Sequence, residues 1–210
     1  MRGLARLGAL LLLLVAMPLR AEGPSGSYDG SQTELAAWLE LDADGRFSYW
    51  VSYGAVDEVS QGSWHQVEGG IVLDSDPVTA PEFEQVRTSE GEPDALAIHL
   101  EVPTGLPVQL FSANVTMADG TAFVADFNAD ELVVPLDEGG QVATIALALP
   151  IFEVRSADIP VEDGAHDLSF RFEPNDLGVF DFDEAFLPER DGAYLLERFD
   201  RLLRFRKIEL

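Results

Sequence analysis

ELAAWLELDADGRFSYWVSYGAVDEVSQGSW, residues 34–64, decides the fold. Leu35, Ala37, Leu39 and Leu41 fall on alternate positions, the pattern of a half-buried strand. Phe47, Tyr49, Val51 and Tyr53 repeat it, with Ser48, Trp50 and Ser52 on the other face. Two strands of one sheet must place their apolar sets on the same side, because a slip of one residue turns every side chain over. This pairs Leu41 with Phe47, Leu39 with Tyr49 and Ala37 with Val51. Ala43-Asp44-Gly45 is then the loop, Asp42 stands opposite Arg46, and Gly45 takes the left-handed position of a three-residue hairpin with a G1 bulge. The same register sets Trp38 across from Trp50 on the opposite face.

Outward from this hairpin, Tyr53 to Asp57 turns into a strand over about 58–66, with Gly62 read as a bulge. Glu68-Gly69-Gly70 turns again into Ile71-Val72-Leu73. Four antiparallel strands with one apolar face must curl or be covered. Residues 74–93 hold Pro77, Pro81, Pro93 and a charged run from Glu82 to Glu92, and read as a linker or domain boundary. Short apolar runs then recur at 95–102, 106–116, 121–127, 131–136, 141–149 and 167–172, a spacing that suggests a small sandwich.

The tail offers strand-like pieces at 179–182 and 184–187 and a final hairpin over 193–198 and 202–207. Leu203 and Phe205 alternating with Arg204 and Arg206 favour strands there, although Leu, Arg and Glu would also suit a helix. Because the first and last blocks share short hairpins and Gly-led turns, the chain is expected to be mostly β. A small antiparallel barrel or meander over 22–90 plus 175–210 would hold an inserted sandwich at 94–173; two domains in series is the alternative.

The chain carries 38 Asp+Glu against 13 Lys+Arg, a formal net charge of −25, and Lys207 is its one lysine. Nucleic acid is thereby disfavoured as a partner, since phosphate binding needs clustered cations. The absence of cysteine removes disulfides, thiolate metal sites and Cys nucleophiles. Residues 1–21, MRGLARLGALLLLLVAMPLRA, place Arg2 and Arg6 before a short apolar run from Leu7 to Met17. That run is shorter than the ~20 residues a spanning helix needs, so it reads as a secretory signal peptide rather than an uncleaved anchor. The expected location is periplasmic or extracellular, with no stable membrane anchor after cleavage.

DGRFSYWVSYG at 44–54, followed by GSW at 62–64 and GGIVL at 69–73, is similar to the strand–turn–strand pattern of lipocalin-like barrels. NADELVVPL at 128–136 resembles transthyretin-like or carboxypeptidase-regulatory-like sandwiches of the Ig/transthyretin type. With FEPNDLG at 172–178 and LLRFR at 202–206, the whole chain resembles an uncharacterised group of exported proteobacterial β-proteins. The barrel resemblance implies a cavity for a small apolar ligand; the group lends no catalytic residues.

Catalytic motifs are missing. His65, His99 and His166 are scattered, and no Gly-x-Ser-x-Gly elbow, P-loop or dinucleotide-binding glycine pattern occurs. Asp126-Phe127-Asn128-Ala129-Asp130 spells the opening of a calcium loop, so Asp126, Asn128 and Asp130 are weak metal candidates; Glu131 stands where the loop wants Gly. The run reads rather as a polar hairpin turn between two strands. No cofactor is called for. Trp38, Trp50 and Trp64 are the candidate ligand-binding residues, and exposure of Trp38 and Trp50 on one face would favour carbohydrate or protein binding. The reading that follows is a non-enzymatic binding or structural module of the cell envelope, in contact with an envelope protein or a small apolar ligand. The alternatives are a small-ligand carrier using the barrel cavity and a glycan hydrolase using paired carboxylates.

Overall fold

The computed structural model describes residues 23–209; the signal peptide read over residues 1–21 lies outside them. Five strands open the chain: β1 (Gly26–Asp29), β2 (Leu35–Leu41), β3 (Arg46–Tyr53), β4 (Val56–Val67) and β5 (Gly70–Ser75). The β2–β3 register is the one the alternation predicts, with Leu41 opposite Phe47, Leu39 opposite Tyr49, Ala37 opposite Val51 and Trp38 opposite Trp50. Gly45 has φ +87°, and its N–H donates to the Asp42 carbonyl at 3.1 Å, closing the three-residue loop.

Gly62 is not a bulge. It pairs with Phe47 on one side and Ser75 on the other without a break. The glycine is required for a steric reason: a Cβ there would stand 2.0 Å from the Asp74 carbonyl oxygen and 2.7 Å from the Phe47 ring.

The next nine strands are β6 (Glu82–Ser89), β7 (Ala95–Glu101), β8 (Ser112–Met117), β9 (Ala122–Asp126), β10 (Glu131–Pro135), β11 (Val142–Leu149), β12 (Val154–Arg155), β13 (Ile159–Pro160) and β14 (Asp167–Glu173). They form two sheets. One has the order β10-β7-β14-β6, with β7 and β14 parallel; the other has the order β12-β11-β8-β9, with β13 also on β11. Leu96, Ile98, Leu100, Phe170 and Phe172 of the first face Ala113, Val115, Ile145 and Leu147 of the second across one core. The charged run at 82–92, read as a linker, contains β6, an edge strand of this sandwich. Only Phe83 of β6 packs on the core, so its sequence is nearly all solvent-facing and has no apolar period to reveal it. Residues 106–116 likewise divide into a short 3₁₀ turn at Val108–Leu110 and then β8.

Three strands end the chain: β15 (Ala185–Arg190), β16 (Ala193–Arg198) and β17 (Arg201–Lys207). They close an eight-stranded antiparallel barrel of order β1-β17-β16-β15-β5-β4-β3-β2, so the barrel is built from both ends of the described chain around the sandwich. Tyr194 pairs with Phe205 and Leu196 with Leu203, and the fully buried Leu203 and Phe205 decide strand over helix. Between β16 and β17, Phe199 and Asp200 have φ of 55° and 54°, the paired left-handed residues of a tight hairpin.

Residues 179–182 are not a strand of the barrel wall. Val179 makes a single bridge to Val59, and the Val59 N–H donates to the Gly178 carbonyl at 2.9 Å. The chain then turns inward, where the Phe182 N–H donates to Ser75 Oγ at 2.8 Å. Phe182 is buried in the barrel between Phe47, at 5.6 Å between ring centroids, and Tyr49, at 5.1 Å, with Phe180 4.7 Å away. Together with Leu39, Val51, Ile71, Leu73, Leu187 and Phe205, these rings form the packed core of the barrel.

Candidate functional site

Alternation fixes what the barrel shows to solvent. Trp38 and Trp50 stand at outward positions of β2 and β3 and remain 40% and 42% exposed. The register extends their row on both sides: Asp29 of β1 pairs with Trp38, Trp50 pairs with Val59 of β4, and Val59 bridges to Val179. Neighbouring strands lie ~4.8 Å apart, so Trp38 to Val179 makes an apolar stripe ~15 Å long across the outside of the barrel. An exposed stripe of this kind is the informative feature of a protein surface, since large apolar side chains gain by burial.

The stripe forms the floor of a crevice of about 500 Å³ lined by Trp38, Ser48, Trp50, Val59, Gln61, Asp76, Pro77, Val78, Asp176 and Val179. Its walls are the two chain segments that join barrel to sandwich, and these brace each other. Thr79 N–H donates to Asp176 Oδ2 at 2.8 Å, Asp176 N–H to the Thr79 carbonyl at 3.1 Å, and Asn175 Nδ2 to the Ala80 carbonyl at 2.9 Å. Asp76 is tied to the barrel by two parallel bonds from Arg46, at 2.9 and 2.5 Å. Hydrogen bonding from the Arg46 guanidinium holds the Asp76 carboxyl below the usual carboxylate range.

Trp64 does not join the pair. It follows Ser60 and Gly62 on the inward face of β4, packs against the barrel core, and donates from Nε1 to the Asp42 carbonyl at 3.0 Å. Its role is to hold the β2–β3 loop over one end of the barrel. Val59, Asp76, Val78, Asp176 and Val179 were missed in the sequence. Only Val59 left a signal there, as an apolar residue whose pairing with Trp50 follows from continuing the register.

Asp126, Asn128 and Asp130 are not on a hairpin turn. β9 and β10 belong to different sheets, and residues 127–130 cross from one to the other with Phe127 buried as the anchor. The Asn128 and Asp130 carbonyls accept from Gln109 Nε2 at 3.2 Å and the Leu100 N–H at 2.8 Å, while all three candidate side chains face solvent. Among the described residues, no group of three or more His, Asp or Glu is placed to hold a metal ion. His99 Nε2 lies 3.7 Å from Asp167 and 3.9 Å from Glu131, and His166 Nδ1 lies 3.2 Å from the Ala95 carbonyl.

A second polar centre joins the two halves of the molecule. Arg198 of β16 bonds both carboxylate oxygens of Glu58, an inward residue of β4, and reaches Glu153 of the sandwich at 2.8 Å. Its guanidinium lies 4.3 Å from the Phe199 ring centroid and 5.0 Å from that of Phe180. Burial works against the charge, but the Glu58 and Glu153 carboxylates more than offset it, so Arg198 is held charged more firmly than usual.

Among the described residues, no helix is long and apolar enough to cross a membrane. The barrel's outward positions mix the charged Glu40, Arg46, Asp57, Arg204 and Arg206 with the exposed apolar Trp38, Trp50, Val59, Phe186 and Leu202. Comparison with protein-family models, with curated proteins and with solved structures gave no match for this chain.

Proposed function

We propose that the protein is an exported, non-enzymatic binding module of the cell envelope that takes its partner on the outside of the barrel, in the Trp38–Trp50 crevice. The observation that carries this reading is the pair of half-exposed indoles, adjacent in register, on the floor of a crevice walled by two mutually bonded segments. Exposed tryptophans in a preformed, braced depression bind at low entropic cost, because neither floor nor walls must be ordered on contact.

The carrier reading loses its support, since the barrel interior is filled by Phe182 and its neighbours. The hydrolase reading needs one carboxyl that stays protonated to act as acid. Asp76 and Asp176 both line the crevice, and hydrogen bonding from Arg46 favours the ionised form of Asp76 over the protonated acid that this reading would ask of it.

The test is site-specific photo-cross-linking in envelopes of the producing cell. A benzophenone side chain at position 50 is expected to give one defined adduct. The same group at Phe186, exposed on β15 and outside the crevice, is expected to give none. Equal adducts from both positions, or none from position 50, would overturn the proposal.

A further inference from the structure

The crevice has a chemical preference that follows from what surrounds the stripe. Asp29 continues the row beyond Trp38, and its carboxylate accepts the Ser31 N–H at 2.9 Å. Glu40 stands on the same outward face two residues after Trp38, and Asp76 and Asp176 form the walls. The partner of Asp176 is a neutral amide, so its charge stays uncompensated. Cations are scarce in this region. Arg46 is paired with Asp76. Arg206, opposite Asp29 at the far end of the row, and Lys207 bond neutral carbonyls, those of Asp191 at 3.2 Å and Gly23 at 3.1 Å, and so keep their charge at that end. This leaves Glu40 and Asp176 as the rim acids without a cationic partner among the described residues. The whole chain adds a field of formal charge −25.

An indole face attracts a cation through its quadrupole, and ionised carboxylates only accept hydrogen bonds. Aromatic floor and acidic rim therefore favour the same occupant. Resting on the crevice as the binding surface, we propose that its ligand is a basic, extended segment of another envelope protein, whose Arg or Lys side chains lie over Trp38 and Trp50. The length agrees: ~15 Å of stripe matches four to five extended residues at ~3.3 Å each, whereas a small ammonium ion would cover one ring. A second copy of this chain would bring its own negative charge to the acidic rim, which opposes self-association.

The probe is an octapeptide of alternating Arg and Ala added to the mature chain carrying 5-fluorotryptophan. The three fluorine resonances then report separately on Trp38, Trp50 and Trp64. The peptide is expected to shift the resonances of Trp38 and Trp50 and leave that of Trp64 in place. Affinity should fall at least about tenfold between about 20 and 300 mM NaCl, and about tenfold again in Trp38→Ala/Trp50→Ala. The matching Glu-Ala peptide should not bind.

A salt-sensitive association that leaves Trp38 and Trp50 unmoved would be general attraction to an acidic surface and would overturn the proposal. So would a neutral tetrasaccharide shifting the same two resonances where the Arg peptide does not, although that result would leave the crevice standing as the binding surface. If neither ligand moves them, the basic segment is rejected, and cross-linking at position 50 decides separately whether the crevice binds anything. The resonance readout uses the unsubstituted chain, so a double variant that fails to fold does not weaken the test.

Discussion

Arg198 and Glu58, 140 residues apart in the chain, meet through two hydrogen bonds, Nε to Oε2 at 3.0 Å and Nη2 to Oε1. The side chains retain only 14% and 8% of their exposure, and Glu153 joins them from the sandwich at 2.8 Å. One cation thus ties the last barrel hairpin to β4 and the barrel to the sandwich.

Breaking that tie from one side should be costly, because a buried charge without its partner is worse than no charge. Arg198→Met is expected to lower stability by about 3 kcal/mol, and the double variant Glu58→Leu/Arg198→Met to regain most of the loss. Glu153, exposed at its far side, should contribute less than about 1 kcal/mol. Urea unfolding of Arg198→Met, Glu58→Leu, their double variant and Glu153→Gln measures this; a double-variant loss equal to the sum of the two single losses would show that the Arg198–Glu58 pair is not coupled.

β4 shows why this centre was not legible. The strand alternates cleanly, but with inverted polarity: Glu58 and Ser60 point inward and Val59 outward. Each inversion is satisfied by a residue more than ten positions away, Glu58 by Arg198, Ser60 by Ser75 at 2.8 Å and Val59 by Val179. Local pattern yields the hairpin register, because Leu39, Tyr49 and Val51 need only their neighbours. It yields the outward pairing of Trp38 and Trp50 for the same reason. The walls of the crevice come from residues 76–78 and 176–179, which no periodicity links. Phe182 reads as part of a strand until the barrel is closed around it. Places where a local rule fails are where long-range constraint enters.

Gly62→Ala should be among the most damaging single-methyl changes in the barrel. The added carbon would meet the backbone of Asp74 at 2.0 Å and of Ser75 at 2.7 Å, and backbone within a paired strand cannot step aside. Overpacking of this kind costs about 3 kcal/mol. Thermal unfolding should move down by roughly 6–12 °C for a chain of this size. A melting temperature within 2 °C, about the experimental spread, of the parent's would mean that β4 and β5 separate there more easily than their pairing implies.

Tyr49→Phe should run the other way. The Tyr49 hydroxyl is fully buried among Phe180, Phe182 and Phe205 and has no hydrogen-bond partner among the described residues. Burial first, and the nearby Glu58 carboxylate second, push its ionisation well above the usual tyrosine value, so it stays neutral. Removing a polar group that is desolvated and unpaired is expected to stabilise by about 1 kcal/mol. Calorimetry decides the sign, and a destabilised variant would show that the hydroxyl is hydrogen-bonded in solution.

Asp76 links stability to acidity at the crevice wall. The Arg46 hydrogen bonds lower its folded-state pKa, so its contribution is present above the ordinary aspartate value, near 4, and is lost as pH falls through the lower folded value. The parent should therefore exceed Asp76→Asn in melting temperature at neutral pH, and the gap should close as pH drops from about 4 toward about 2. Because the Arg46–Asp76 pair is solvent-exposed, about 0.5 M NaCl should also narrow the gap. If the fold of the crevice wall depends on this pair, adduct formation from position 50 should weaken over the same acid range. An Asp76→Asn curve parallel to the parent's at every pH would remove the linkage between the ion pair and stability.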